Sequence, residues 1–252
     1  MAGGFELPVL TMDAITYPPL DTPKQVAEDV WVVDSGPHEV AGLSLPVRMS
    51  VFRLTSGDLI LISPTRLTEQ LVTSLKELGT IRHLVAPNLA HWSYISAWQA
   101  GFPRAICWVA PNLRRRPSAK AKLRIDHELS DAPPAAWRGE VDTVAVRGLG
   151  LAEIALFHSA SRTLVLTDLI VNLERDKLSA PLAFGAGLMG SLAPSGKAPI
   201  YTRFLMRLGG KKAAGAARRL VALQPERVIF AHGTWFQSDA TGRLRDALSW
   251  LL

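Results

Sequence analysis

Arg227-Val-Ile-Phe-Ala-His232-Gly233 is a short apolar run that stops on a histidine and a glycine. A run of this length and β-branched content reads as a buried strand. Two other stretches are built the same way: His83-Leu-Val-Ala-Pro-Asn-Leu-Ala-His91 and Thr163-Leu-Val-Leu-Thr-Asp168. In a layered α/β protein the ends of buried strands are where side chains from distant parts of the chain meet. His91, Asp168 and His232 are therefore a candidate donor set for one divalent metal ion. Each also has a plainer explanation. Asp168 suits a turn or a cap, His91 could cap the helix expected near Tyr94, and His232 could be a satisfied histidine near the surface.

Working outward, 30–34 reads as a strand followed by a turn-rich stretch through Gly36 and Pro37. The runs 49–54 and 59–62 flank Ser56-Gly57-Asp58, a hairpin signal. Apolar spacing predicts a helix over 68–78, closed by Gly79, and a short one over 94–100, closed by Gly101. A strand over 105–110 leads into a basic loop at 114–124. Strands are expected over 141–146 and, as a second hairpin, over 153–158 and 163–167. Residues 176–200, rich in Gly, Ala, Ser and Pro, read as a long loop that covers a pocket. Helix is expected over 201–223, broken near Gly209-Gly210, and again over 241–252. Residues 1–24 read as an irregular arm and 25–252 as a single domain. This order of hairpins and alternating elements suits an α/β sandwich with two sheets between outer helices.

The chain has 252 residues, 48% hydrophobic and 20% charged, ordinary values for a globular protein with a substantial core. Its apolar stretches are interrupted well short of the roughly 18–20 residues of a membrane span. The N-terminus lacks a basic region and an apolar core, so no signal peptide and a cytoplasmic location are expected. Cys107 is the only cysteine, which excludes an intrachain disulfide and any cysteine-based zinc cluster. The net charge of +6 gathers in 114–124 and around Lys211, Lys212, Arg218 and Arg219. No aromatics interleave with these bases, so nucleic acid is not the expected partner. A solvated loop and a solvated helix face account for them; an anionic substrate or an anionic membrane surface is the alternative.

Two glycine motifs are set aside. Gly185-Ala-Gly-Leu-Met-Gly190 matches G-x-G-x-x-G but has no strand before it and no carboxylate about 20 residues on. Gly190-Ser-Leu-Ala-Pro-Ser-Gly196-Lys197-Ala198 has one residue too many for a P-loop and alanine where the metal-binding hydroxyl belongs. No G-x-S-x-G elbow occurs, and Cys107 lies inside an apolar run, where a structural role is usual.

The phrases ending in His91, Asp168 and His232-Gly233, with the hairpin before them, resemble the metallo-β-lactamase fold over about residues 25–252. More narrowly they are similar to the DUF4336 domain proteins. The resemblance implies a four-layer αββα sandwich and metal-dependent hydrolysis. It places the superfamily's bridging aspartate on Asp168 and its last histidine on His232. The defining H-x-H-x-D-H loop falls at 87–93, where this chain has Pro87-Asn-Leu-Ala-His91-Trp92-Ser93. Only His91 survives as a ligand there, and Trp92 stands where the branch often has a second histidine. The middle histidine, expected near 148–153, is absent. Glu153 stands in for it or is an exposed strand carboxylate.

The resemblance thus implies one divalent ion (Zn, Fe or Mn) on His91, Asp168 and His232, or none. Asn88 would orient or polarise the substrate, and Trp92 and Glu153 would line the pocket. The expected function is a mononuclear hydrolase of a small ester, lactone, thioester or phosphoester. The alternative is an inactive binding or scaffold module that takes a small, anionic ligand, with Asp168 and His232 hydrogen-bonded to each other. An RNA-processing nuclease ranks behind both.

Overall fold

Two β-sheets lie face to face between outer layers of helices. The structure, a computed structural model, describes residues 15–40 and 43–252. Strands β1 (Lys24–Ala27), β2 (Val30–Val40), β3 (Leu43–Arg53), β4 (Asp58–Ile62), β5 (Thr80–Ala86), β6 (Ile106–Val109) and β7 (His127–Glu128) form the first sheet in that order. Pairing is antiparallel from β1 to β4 and parallel from β4 to β7. Parallel neighbours need crossovers, and helices α1 (Glu69–Leu78) and α2 (Ile95–Gly101) supply two of them. The second sheet has the order β11-β10-β9-β8, from β8 (Val141–Arg147), β9 (Ala152–His158), β10 (Thr163–Val165) and β11 (Arg227–Ile229).

The hydrophobic pattern explains the layers. Val32, Phe52, Ile60 and Val85 of the first sheet share one buried cluster with Ala145, Ile154, Val165 and Ile229 of the second. The opposite face of the first sheet packs Val33, Leu61 and Leu84 against Leu71 and Leu75 of α1 and Trp98 of α2. The outer face of the second sheet packs Val144, Phe157 and Val228 against helices α5 (Ile200–Arg207), α6 (Gly210–Ala222) and α7 (Ala240–Ala247). Alternating strand residues thus face different layers, which is how a strand buried on both sides reads as a continuous apolar run. Helix α1 begins where Thr68 accepts a hydrogen bond from the Leu71 amide, an N-cap that satisfies an otherwise orphan donor.

Four sequence expectations are corrected. The stretch through Gly36 and Pro37 is not a turn, because β2 continues to Val40 across a register shift between Ser35 and His38. A bulge is where a strand tolerates proline, which cannot donate to the ladder. The basic segment is not a loop: a 3-10 turn at Leu113–Arg115 leads into α3 (Pro117–Lys122). Its buried Leu113, Ala119 and Leu123 were hidden among the bases. Residues 176–200 are not one loop, because Ala180–Met189 forms α4, with Pro181 in its first turn and left-handed Gly190 as its C-cap. Ala183 and Ala186 anchor it against Val171, Leu173 and Leu178. The final helix, α7, ends at Ala247 rather than running through 252. Of the expected N-terminal arm, residues 1–14 lie outside the described residues. Within the rest, Thr16 is buried and the Tyr17 ring lies under the Arg48 guanidinium and the Lys177 ammonium. Among the described residues no helix is long and apolar enough to cross a membrane.

Candidate functional site

The three strand ends converge. Strands β10 and β11 are parallel with Val165 opposite Ile229, so three residues further on Asp168 arrives beside His232. The segment after β5 crosses to the second sheet, where the Ile154 amide donates to the Pro87 carbonyl at 2.8 Å. That crossing brings His91 to the same point. His91 Nε2 lies 3.2 Å from Asp168 Oδ1, and His232 Nε2 lies 3.6 Å from the same oxygen. One donor atom from each of the three residues lies within 4.8 Å of the others.

Each of these side chains is held from behind. His232 Nδ1 donates to the Pro46 carbonyl at 2.8 Å, so in the neutral ring the Nε2 lone pair faces the site. His91 Nδ1 pairs with Ser63 Oγ at 2.6 Å. Asp168 Oδ2 accepts from Asn88 Nδ2 at 2.7 Å. Asn88 Oδ1 accepts from the amides of Ala90 and His91 at 2.8 and 3.0 Å, and its Nδ2 also donates to Thr167 Oγ1 at 2.9 Å. The buried Asn88 amide is therefore committed on both sides. It positions His91 and Asp168 and has no free group to polarise a substrate, which corrects the sequence expectation.

Glu153 is corrected too. It is 1% exposed, not an open strand carboxylate. Its Oε1 accepts from the Thr167 amide at 2.7 Å, and its Oε2 accepts from the Asp168 and Leu169 amides at 2.8 and 3.1 Å. These bonds clamp the loop that carries Asp168, and Glu153 lines the cavity as expected without joining the donor cluster. Trp92 is not in the cavity lining; it is half-buried against the apolar layer around Ile95 and Trp98.

The electrostatics separate the groups. Burial works against the Asp168 carboxylate, but the charge of His91 and its hydrogen bond, then the charge of His232, overcome it and hold the carboxyl below the usual range. Burial likewise disfavours the His91 imidazolium, and Asp168 more than offsets it, so His91 is raised. His232 is lowered by burial and by the charge of His91. Glu153 is raised by burial and by the charge of Asp168 beside it.

This set fits a metal ion. Three ligands of a tetrahedral zinc site at about 2.0–2.1 Å lie roughly 3.4 Å apart. The two separations at Asp168 Oδ1 bracket that value, and the donors are two imidazoles and a carboxylate. The site opens into a cavity of about 460 Å³ whose wall includes His38, Leu45, Tyr94, Arg116, Leu151 and Tyr201. On this wall His38 Nδ1 and Tyr94 Oη pair at 3.0 Å. Ser63, Pro46, His38 and Tyr94 were not singled out in the sequence. Ser63 had a signal, because it directly follows the strand ending Leu59-Ile-Leu-Ile62; the other three had none.

The sequence profile of the family described as "Domain of unknown function (DUF4336)" matches residues 27–183. The chain belongs to the DUF4336 family. The matched span carries His91, Glu153 and Asp168, while His232 lies beyond it. No curated protein sequence matches the chain. Among solved structures, a metallo-β-lactamase from Pontibacter korlensis superposes with a TM-score of 0.62 at 16% identity, covering 91% of this chain and 97% of that one. The DIM-1 metallo-β-lactamase gives 0.64 at 15% identity, covering 91% and 95%. The FIM-1 enzyme of Pseudomonas aeruginosa in its mono-zinc form gives 0.60 at 13% identity, covering 92% and 96%. At these identities the likeness establishes the fold: this DUF4336 protein has the metallo-β-lactamase αββα architecture.

Proposed function

We propose that this DUF4336 protein is a hydrolase that works with one divalent metal ion held by His91, Asp168 and His232. The observation that carries the reading is the approach of three donor atoms to within 4.8 Å in the lining of a cavity. When bound, such an ion supplies a water acidified to a pKa of about 7, suited to attack on an ester, lactone, thioester or phosphoester. The chain's own groups orient the donors. Pro46 fixes the His232 tautomer, Ser63 fixes the His91 ring, and Asn88 occupies Asp168 Oδ2 and leaves Oδ1 turned to the site. Outer partners of this kind commonly decide metal affinity by one to two orders of magnitude. Arg116 on the cavity wall would receive an anionic group of the substrate.

The test is elemental analysis of untagged protein, wild type and His232→Ala, together with turnover of a panel of these four bond types. About one equivalent of metal is expected in the wild type, with metal and hydrolysis both lost in the variant. Substoichiometric metal that does not change in His232→Ala would sink the proposal. A second reading, a binding module without chemistry, is favoured by the fact that Asp168 is already spanned by His91 and Asn88. Metal-free wild-type protein that hydrolyses nothing yet binds small carboxylates or phosphates would support it.

A further inference from the structure

Helices α4 and α5 turn large apolar side chains to the outside. Phe184 and Leu188 on α4, Ile200, Tyr201 and Phe204 on α5, its C-cap Leu208, and Leu149 on the β8–β9 turn are each more than half exposed. These are seven of the eight exposed large hydrophobics among the described residues, so they are not scattered singly. Phe184 and Leu188 are four apart on one helix, as are Ile200, Phe204 and Leu208 on the other, so each set forms a stripe. The stripes adjoin. Arg203 on α5 donates to the Met189 carbonyl at the end of α4 at 3.0 Å, and the Leu149 amide donates to the Leu205 carbonyl at 2.9 Å.

The segment that carries this face is basic, although Arg219 in it is paired with Asp131. Between Asp176 and Glu226 the sequence contains no carboxylate and eight bases: Lys177, Lys197, Arg203, Arg207, Lys211, Lys212, Arg218 and Arg219. That segment alone carries more positive charge than the whole chain's net +6. Arg203, Arg207, Lys211 and Lys212, on α5 and the start of α6, have no carboxylate partner among the described residues. Arg207, Lys211 and Lys212 are exposed.

We propose that the apolar face of α4 and α5, with its basic rim, docks on an anionic membrane surface. An apolar stripe bordered by lysine and arginine, on a helix too short to span, has the composition of an interfacial element. Basic side chains near an anionic leaflet add attraction that falls off within a Debye length. A second copy of this chain is a poor occupant, because its own basic rim would face this one. The inference is independent of any chemistry at His91, Asp168 and His232. It has a consequence for their cavity, since Tyr201, Thr202 and Met206 of α5 form part of its wall. Docking would bring the cavity wall to the bilayer.

The experiment is co-sedimentation of the full chain with phosphatidylcholine vesicles, with and without about 30% phosphatidylserine. Binding is expected only with phosphatidylserine and should weaken as salt is raised. Phe184→Glu with Phe204→Glu should lower the partition coefficient about tenfold or more, with little shift in the unfolding transition because both side chains are already mostly exposed. Lys211→Gln with Lys212→Gln, which removes no packing, should lower it less. Absence of binding to the anionic vesicles would overturn the inference. So would binding that the paired glutamates leave unchanged, which would be attraction by charge alone. Sedimentation velocity without lipid supplies a further reversal: a dimer abolished by the same glutamates would make this face a self-association surface.

Discussion

His83 is a buried histidine that does its work away from the cluster of His91, Asp168 and His232. It is 2% exposed, and its Nδ1 accepts a hydrogen bond from Trp108 Nε1 at 3.0 Å. Nδ1 must therefore stay unprotonated, and Nε2, buried without a partner, carries the ring's one hydrogen. Burial pushes its pKa down from 6.5 to about 4; nearby Asp58 opposes this shift and Arg82 adds to it. The unfolded chain takes this proton near pH 6.5 and the folded chain only near 4. Stability is thus full above about 6.5 and declines as pH falls toward 4, by about 3 kcal/mol from this group. His83→Gln keeps an acceptor for Trp108 and should flatten that part of the slope. Urea unfolding at pH 7.5 and 4.5 measures it, and an unchanged difference between the two would count against the assignment. His83 opened one of the apolar runs that marked the site, but its position there did not reveal its surroundings. Trp108 and Trp137, which pack on its ring, come from other strands and loops.

At the scale of an element, the turn after β11 is the most constrained. Gly233 has φ +87°, and a Cβ there would lie 2.0 Å from the Asn172 carbonyl oxygen. Gly233→Ala combines left-handed strain with a backbone collision, and a loss of about 2–3 kcal/mol is expected. Because the Thr234 amide bonds to Asn172 on the far side, relief of the clash would displace His232. Urea midpoints together with metal content test this; wild-type values of both would show that the turn can relax. The histidine-glycine pair marked the end of the last apolar run, but the left-handed turn that Gly233 makes against Asn172 was not read from it. Both hairpins and helix α1 were legible, because their turn and cap residues are readable locally. Helix α4 was not. Gly185, Gly187 and Pro181 masked the helix preference of its Ala, Leu and Met residues, and Ala183 and Ala186 hold it against Val171 and Leu173, a contact absent from any local window.

Across the whole molecule, Arg48 ties the sheets together behind the site. Lying on β3, it bonds Asp34 of β2 at 2.7 Å and the carbonyls of Phe230 and Gly233 at 3.1 and 2.7 Å. Both members of the ion pair are about 3–4% exposed at the side chain. Arg48→Met should cost about 3–5 kcal/mol, because Asp34 would remain buried with only Lys24 as a partner. Adding Asp34→Asn should restore part of that loss, since the neutral side chain no longer needs a countercharge. A double-mutant cycle by urea unfolding decides it, and strictly additive losses would mean that the pair is not coupled.

The sequence by itself determined the layered α/β class, the hairpins and the family, because these rest on hydrophobic period, turn residues and the ordered phrases that end in His91, Asp168 and His232. It also marked those three residues as a set. Only the tertiary structure decided what surrounds them. Asn88 became a brace once both its amide groups were satisfied, and Glu153 became a clamp once three amides reached it. Pro46 entered the site from β3, which no local pattern connects to it, and Ser63, although it directly follows β4, met His91 only there. Hydrophobic period is a property of neighbouring residues. Hydrogen-bond partners separated by up to 186 positions exist only after the two sheets have closed on each other.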